Sequence, residues 1–193
     1  MKRKLLITGF DPFGGAQVNP AWEAVRLLPD EIGDFEVNKL EIPTVFELAT
    51  RLVIERAEIL CPDVILCIGQ AGGRSSVTPE RIGVNIRDAR IPDNHGNQPS
   101  GERIIEDGPA AYFATVPVKK MAEAICRQNL PATVSNSAGA FVCNDVLYGV
   151  LHHCAGTSIQ VGFIHVPYLP NQGSPSMALS DIVLALEAAI EVL

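Results

Sequence analysis

Ser135-Asn136-Ser137-Ala138-Gly139-Ala140-Phe141-Val142-Cys143-Asn144 is the stretch that decides the fold, because its small residues separate a strand pattern from a helix pattern. Ala132 and Val134 indicate a strand before it, and Gly139 supplies permissive backbone angles for a turn. The apolar residues that follow recur at helical spacing, at Val146, Leu147, Val150 and Leu151. The pattern predicts that Cys143 is the first residue of a helix.

A thiol at the start of a helix lies near unpaired N–H groups and the positive end of the helix dipole, and both favour the thiolate. We therefore predict that Cys143 is a nucleophile. The alternative is a buried cysteine that acts as a small hydrophobe, which is common for free cysteines. An apolar strand over residues 162–167 that carries His165 near its end favours the nucleophile, since α/β folds keep reacting groups at strand ends.

Length and composition indicate one domain over residues 1–193 with a single core. The net charge of −7, without a basic run after residue 4, argues against nucleic-acid or anionic-membrane partners. No apolar run approaches the roughly 20 residues of a membrane helix. The basic start at residues 2–4 resembles a signal peptide, but the apolar run after it ends at Ile7 and is too short for one.

The five cysteines are scattered and form no CxxC pair, so we expect neither a disulfide framework nor structural zinc. The adjacent His152 and His153 would point about 100° apart around a helix, which does not suit a shared metal ion. We expect no metal or other cofactor and a reducing, cytoplasmic location.

Strand patterns alternate with helix patterns along the chain. Strands are predicted over residues 4–8, 35–42, 64–68, 79–86 and 159–166, and helices over residues 20–28, 45–60, 117–128 and 177–192, the first capped by Asn19. This order predicts an α/β fold, a three-layer α/β/α sandwich with a twisted, mostly parallel central sheet. The loop at residues 88–101 is expected to cover a site. The mostly apolar closing helix is expected to contact another subunit.

Six blocks of the chain, in order, resemble the pyroglutamyl peptidase I (pyrrolidone-carboxylate peptidase) family. They are residues 9–15 with Asn19-Pro20, 70–74, 80–81, 88–94, 135–144 and 162–167. The resemblance implies a cytosolic, metal-free cysteine peptidase on a phosphorylase-like sandwich, a homotetramer that removes pyroglutamate from peptide N-termini. It implies that Cys143 is the nucleophile, His165 the general base and Glu80 the orienting carboxylate. Without the resemblance, Glu80 reads as a solvated carboxylate beside Arg81 and His165 as a core histidine.

Pyroglutamate is a flat lactam without a charged amine, so its pocket should be aromatic and uncharged. We predict that Phe10, Phe13 and Phe141 sandwich the ring and that Asn19 and Gln70 meet the lactam N–H and C=O. Packing, helix capping and turn formation are the alternatives for these residues. Val142 is also placed in the pocket. Oxyanion stabilisation is assigned to N–H groups at the start of the Cys143 helix, with Arg90 as a second donor or, alternatively, an ion-pair partner of Asp88 or Asp93.

Two other functions stay open at this point. A nucleoside phosphorylase relative would share the sandwich, but the chain offers no clear set of arginine and serine residues for phosphate. A non-catalytic binding protein for lactam-capped peptides would need no nucleophile, and the complete set of Cys143, His165 and Glu80 weighs against it.

Overall fold

A computed structural model describes residues 2–193 of the chain. The strands are β1 (Arg3–Phe10), β2 (Glu31–Ile32), β3 (Phe35–Ile42), β4 (Val64–Gln70), β5 (Thr78–Pro79), β6 (Ile82–Val84), β7 (Arg87–Asp88), β8 (Ser100–Glu102), β9 (Ala111–Phe113) and β10 (Gln160–Val166). The helices are α1 (Pro20–Val25), α2 (Leu48–Leu60), α3 (Val118–Arg127), α4 (Val142–His153) and α5 (Leu179–Ile190).

The central sheet has six strands in the order β2-β3-β1-β4-β10-β5. Strands β3, β1, β4 and β10 are parallel, whereas the two-residue edge strands β2 and β5 run antiparallel to their neighbours. Because β4 lies inside the sheet, its first six residues are all buried, as its continuous apolar run predicts. The predicted mostly parallel α/β fold is confirmed.

Helices cover both faces of this sheet, because successive side chains of a strand point to opposite faces. On β1, Leu5 and Ile7 pack with residues of α1, α3 and α5, whereas Leu6 packs with residues of α2 and α4. These two hydrophobic clusters give the three layers that the alternation of strands and helices predicts. Within residues 2–193, no helix combines the length and the apolar character that crossing a membrane requires.

Two predicted strands differ from the structure. The strand expected around Ala132 and Val134 consists of isolated parallel bridges, Val77 with Ala132 and Glu80 with Ser135. The strand expected at residues 79–86 is divided between β5 in the central sheet and β6, which pairs with β9. The chain leaves the central sheet after Glu80, whose N–H donates to the Phe163 carbonyl, and the next N–H, that of Arg81, donates to Ser135. Alternation of side chains predicts a strand but not its partner.

Several helix boundaries also shift. Asn19 caps α1 as predicted, but α2 begins at Leu48 rather than at residue 45, after Glu47 with a φ of 62°. The catalytic candidate Cys143 is the second residue of α4, not the first. The long loop at residues 88–101 begins and ends in the antiparallel pair β7 and β8, which ties its two ends together.

Candidate active site

A cavity of about 560 Å³ opens at the carboxyl ends of the central strands β1, β4 and β10. This volume lies within the usual range for small-molecule sites. Its lining includes most of the residues predicted for the site: Phe10, Phe13, Asn19, Gln70, Arg90, Phe141, Cys143 and His165, together with Thr44, Arg74, Asp88, Ile91 and the small residues at positions 71–72 and 138–140. Glu80 lies behind the cavity wall and is fully buried.

Cys143 and His165 lie on the same face of the sheet. His165 pairs in register with Gly69 of the neighbouring parallel strand, so a side chain at position 69 would point the same way as the imidazole. A Cβ atom built on Gly69 would lie 2.9 Å from Cys143 Sγ and 2.8 Å from Cζ of Phe163. The sulfur therefore occupies space that the absence of a side chain at position 69 leaves open, one strand away from the histidine.

The imidazole of His165 is oriented from behind. Its Nδ1 lies 2.7 Å from Oε1 of Glu80, and both residues are buried. A carboxylate can only accept, so Nδ1 carries the hydrogen and Nε2 is left unprotonated to accept a proton. The ring also packs on Phe163, with centroids 4.8 Å apart. The structure thus brings Glu80 and His165 together as predicted, across 85 positions of sequence.

Arg74 is a site residue that the sequence analysis does not assign. Its guanidinium donates to Oε1 of Glu80 at 2.6 Å, to the Thr78 hydroxyl at 2.5 Å and to the Ser137 carbonyl at 3.0 Å. The available signal is weak, since a single arginine in the loop after β4, six residues before Glu80, also fits a solvated loop.

The protonation states follow from burial and neighbouring charges. Burial raises the pKa of the Cys143 thiol to about 12, with the negative charge of Glu80 acting in the same direction and Arg74 opposing it. Burial also lowers the pKa of His165, although hydrogen bonding to Glu80 partly offsets this effect. Both shifts favour the neutral thiol and the neutral imidazole in the resting site. The start of a helix favours the thiolate, whereas burial and the charge of Glu80 oppose it in the resting site, so the ionisation of Cys143 stays a prediction.

The Glu80 carboxyl shows the opposite balance. Burial by itself would raise its pKa, but the hydrogen bond and charge of His165, supported by Arg74, hold the pKa below its usual value. Glu80 is therefore an anion at neutral pH, able to stabilise an imidazolium.

Two groups of donors face the region around the sulfur. The N–H groups of Val142 and Cys143 at the start of α4 donate to no backbone acceptor within residues 2–193. Arg90 is exposed on the cavity rim, and in the described part of the chain its guanidinium forms no ion pair with Asp88 or Asp93. Asp93 instead accepts the N–H groups of Phe46, His95 and Asn97.

The three predicted aromatic residues form walls rather than parallel plates. The rings of Phe13 and Phe141 have centroids 6.1 Å apart at 40°. A flat ring held between two others needs about 7 Å between parallel planes. These two rings therefore form one continuous apolar wall, and Phe10 lines the cavity beside it.

Asn19 and Gln70, the two polar residues predicted to bind the lactam, already form hydrogen bonds within the protein. Asn19 accepts from the Ala21 N–H and donates to the Asp11 carbonyl, so it caps α1 and keeps one free amide hydrogen. Gln70 Oε1 accepts from Gln172 at 3.2 Å.

The prediction for Val142 needs correction: its side chain is fully buried in the cluster between α4 and the sheet and does not line the cavity. A residue at the start of an amphipathic helix points inward when its position falls on the apolar face.

Asn144 fixes the strand next to the nucleophile. Its buried amide accepts from the Val84 N–H and donates to the Val84 and Ile86 carbonyls. Asn144 thereby ties the first turn of α4 to β6.

The described chain contains no group of three or more His, Cys, Asp or Glu side chains arranged to hold a metal ion.

Gly69→Ala is expected to lower kcat/KM by about 100-fold, because the added methyl group would displace the Cys143 sulfur or the Phe163 ring and misplacement of about 1 Å can cost this much. The measurement is kcat/KM together with thermal unfolding. Gly162→Ala is the matched control, since its Cβ would clash with Val116 at 2.3 Å in the core, away from the cavity. Equal losses of specific activity in both folded variants would contradict the local explanation.

Residues 3–193 match the family model described as Pyroglutamyl peptidase. The pyrrolidone-carboxylate peptidase of Staphylococcus saprophyticus is 53% identical over 195 residues, covering 97% of this chain and 92% of that protein. The corresponding protein of a Thermoanaerobacter species is 50% identical, with 98% and 97% covered. Among solved structures, pyroglutamyl peptidase I of Bacillus amyloliquefaciens superposes with a TM-score of 0.95 at 45% identity, covering 99% of this chain and 96% of that chain. Pyrrolidone carboxyl peptidase from Thermococcus litoralis gives a TM-score of 0.94 at 40% identity, covering 100% and 93%.

Proposed function

The chain belongs to the pyroglutamyl peptidase family and is a cysteine peptidase that removes N-terminal pyroglutamate from peptides, and we propose that Cys143, His165 and Glu80 carry out this reaction. The observation that supports this assignment most strongly is the 2.7 Å hydrogen bond from His165 to Glu80, which leaves Nε2 of the histidine available on the cavity that Cys143 lines.

The reaction begins from the neutral pair of thiol and imidazole. Nε2 of His165 takes the thiol proton as Sγ of Cys143 attacks the carbonyl carbon that joins pyroglutamate to the next residue. A tetrahedral oxyanion forms. The imidazolium, held by the Glu80 anion, then gives this proton to the departing amine, which leaves a thioester. Water attacks the thioester with His165 as base, and pyroglutamate and the free thiol are released. In each step Nε2 of His165 first accepts a proton and then donates it.

The cavity offers hydrogen-bond donors for the oxyanion and both apolar and polar groups for the lactam. The free N–H groups of Val142 and Cys143 would donate to the oxyanion, and Arg90 would supply a second, charged donor from the rim. The lactam ring would lie against the wall formed by Phe13 and Phe141. Gln70 and the remaining amide hydrogen of Asn19 would meet its polar edge. Proline lacks the lactam carbonyl and would leave a donor unpaired, so it should be rejected.

A pyroglutamyl fluorogenic amide tests this proposal directly. We expect release of the fluorophore that is lost after incubation with iodoacetamide and protected by prior addition of pyroglutamate. Release that iodoacetamide does not affect would contradict a cysteine nucleophile. Phosphorolysis of a nucleoside would favour the phosphorylase alternative, and binding of a pyroglutamyl peptide without turnover would favour the binding protein.

The wider properties carried by the resemblance also remain proposals. We propose a single peptidase domain over residues 1–193, a cytoplasmic location and a homotetramer. The five cysteines, all present as free thiols, are in keeping with a reducing compartment. Leu184 on α5 is 40% exposed, which supports a subunit contact at this helix. Light scattering coupled to size-exclusion chromatography measures the number of subunits.

A further inference from the structure

Arg74 donates to the same oxygen of Glu80, Oε1, that accepts from Nδ1 of His165. The guanidinium lies at the boundary between the cavity and the fully buried Glu80, and about a third of its side chain is exposed. Its three hydrogen bonds go to three separate parts of the chain: Thr78 of β5, Glu80 after β5, and Ser137 in the loop that leads to Cys143. One side chain thus connects the orienting carboxylate with the loop before the nucleophile.

Glu80 depends on few partners for its orientation. Oε1 receives both the Arg74 guanidinium and Nδ1 of His165, whereas Oε2 is buried and has no hydrogen-bond partner within residues 2–193. Because Oε1 is the oxygen that accepts these hydrogen bonds, the donors to Oε1 set the orientation of the carboxylate. Without Arg74, Nδ1 of His165 would be the one side-chain donor left to Oε1 within residues 2–193, with the Ser135 hydroxyl, which also lowers the pKa of Glu80, as a further neighbour.

We propose that Arg74 is a positioning residue of the catalytic site, whose guanidinium holds Oε1 of Glu80 where it accepts the Nδ1 hydrogen of His165. This inference rests on the proposed roles of Cys143, His165 and Glu80. Arginine suits the task because its planar group offers several donors in fixed directions, and it remains charged at all relevant pH values. Lysine would reach one acceptor as a point charge but would not bridge three.

The charge of Arg74 also acts on the reacting groups. The charged and titratable groups around His165 are Glu80, Arg74 and Cys143, with Asp88 and Arg90 on the rim of the same cavity and Cys67 beneath the sulfur. Arg74 lowers the pKa of both Cys143 and His165. Its removal therefore raises both pKa values, and the acid limb of the pH profile moves to higher pH.

The test compares Arg74→Met and Arg74→Lys with the wild type. We expect Arg74→Met to lower kcat/KM by about one to two orders of magnitude, chiefly through kcat, and to move the acid limb to higher pH. Arg74→Lys should recover part of the rate and should keep the acid limb near its wild-type position. Arg81→Met is the matched control, because the Arg81 guanidinium forms no hydrogen bond or ion pair in the described part of the chain, and it should stay within about twofold.

A double-variant cycle shows whether Arg74 acts through Glu80. In a Glu80→Gln background, Arg74→Met should cost less than about twofold at the pH optimum, because the carboxylate that it positions is gone. A full additional loss in that background, or an Arg74→Met enzyme with the wild-type rate and acid limb, would overturn the inference. Cys143→Ser is measured alongside: if that variant remained active, the proposed function would fail, whereas inactive Cys143→Ser beside fully active Arg74→Met would refute only the role of Arg74.

Discussion

Cys143→Ser is expected to lower kcat/KM for a pyroglutamyl amide by about four orders of magnitude or more. A serine hydroxyl is a much weaker nucleophile at neutral pH than a thiol, and His165 would have to remove a far less acidic proton. The C–O bond is also shorter than the C–S bond. The oxygen would therefore fall short of the space beside Gly69 that the sulfur fills.

Steady-state rates and substrate binding check this prediction together. Because the cavity keeps its other lining residues, Cys143→Ser should bind a pyroglutamyl peptide with nearly wild-type affinity by calorimetry while failing to cleave it. Cys126→Ser is the matched control, since the Cys126 thiol lies exposed on α3, where it donates a hydrogen bond to the Ala132 carbonyl at 3.5 Å. A Cys143→Ser enzyme with wild-type turnover would remove this cysteine from the mechanism.

Glu80→Gln should lower kcat/KM by about three orders of magnitude, somewhat less than the cost of about 10⁴ known for a comparable amide in a serine protease triad. The amide has the volume of the carboxyl, and its oxygen can still accept from His165 and Arg74. It carries no charge, however, so the imidazolium that forms during attack loses its stabilising partner. The amide nitrogen would also lie at the buried Oε2 position without an acceptor.

The direction in which the acid limb of the pH profile moves distinguishes Glu80→Gln from Arg74→Met. The Glu80 anion raises the pKa of His165 through its hydrogen bond and charge, and it raises the pKa of Cys143 through its charge. Replacing it by a neutral amide lowers both pKa values, so the acid limb of kcat/KM should move to lower pH, opposite to the shift expected for Arg74→Met. The limb reports the pair of groups together rather than either residue alone.

Glu123→Gln, on the exposed face of α3, controls for the general effect of removing a carboxylate and should leave the rate and the profile unchanged. If Glu80→Gln kept the wild-type rate, or if its acid limb moved to higher pH, Glu80 would not be the group that stabilises the imidazolium.

Much of the scaffold follows from local patterns in the sequence. The predicted strand at residues 35–42 coincides with β3, and Asn19 followed by Pro20 begins α1 as its capping chemistry indicates. The continuous apolar run from Val64 lies inside the sheet. These features depend on side chains a few positions apart, and burial of apolar surface reinforces each of them.

The sequence also predicts which edge of the sheet holds the site. Parallel strands that alternate with helices place all their carboxyl ends on one side, so His165 near the end of one strand and Cys143 near the start of one helix are expected to meet there. The six family-like blocks added Glu80, which periodicity alone assigns to the start of a strand that the structure divides.

The sequence by itself determined the α/β fold, the family and the identity of the three proposed catalytic side chains. Only the tertiary structure decided that Arg74 bonds to Glu80, that Gly69 leaves room for the sulfur, that the Val142 side chain turns away from the cavity, and that burial raises the pKa of the Cys143 thiol. The physical reason is that local periodicity depends on neighbours along the chain. A pKa, a clash or a hydrogen bond depends on every atom within a few ångströms, and those atoms come from segments as distant as 85 positions.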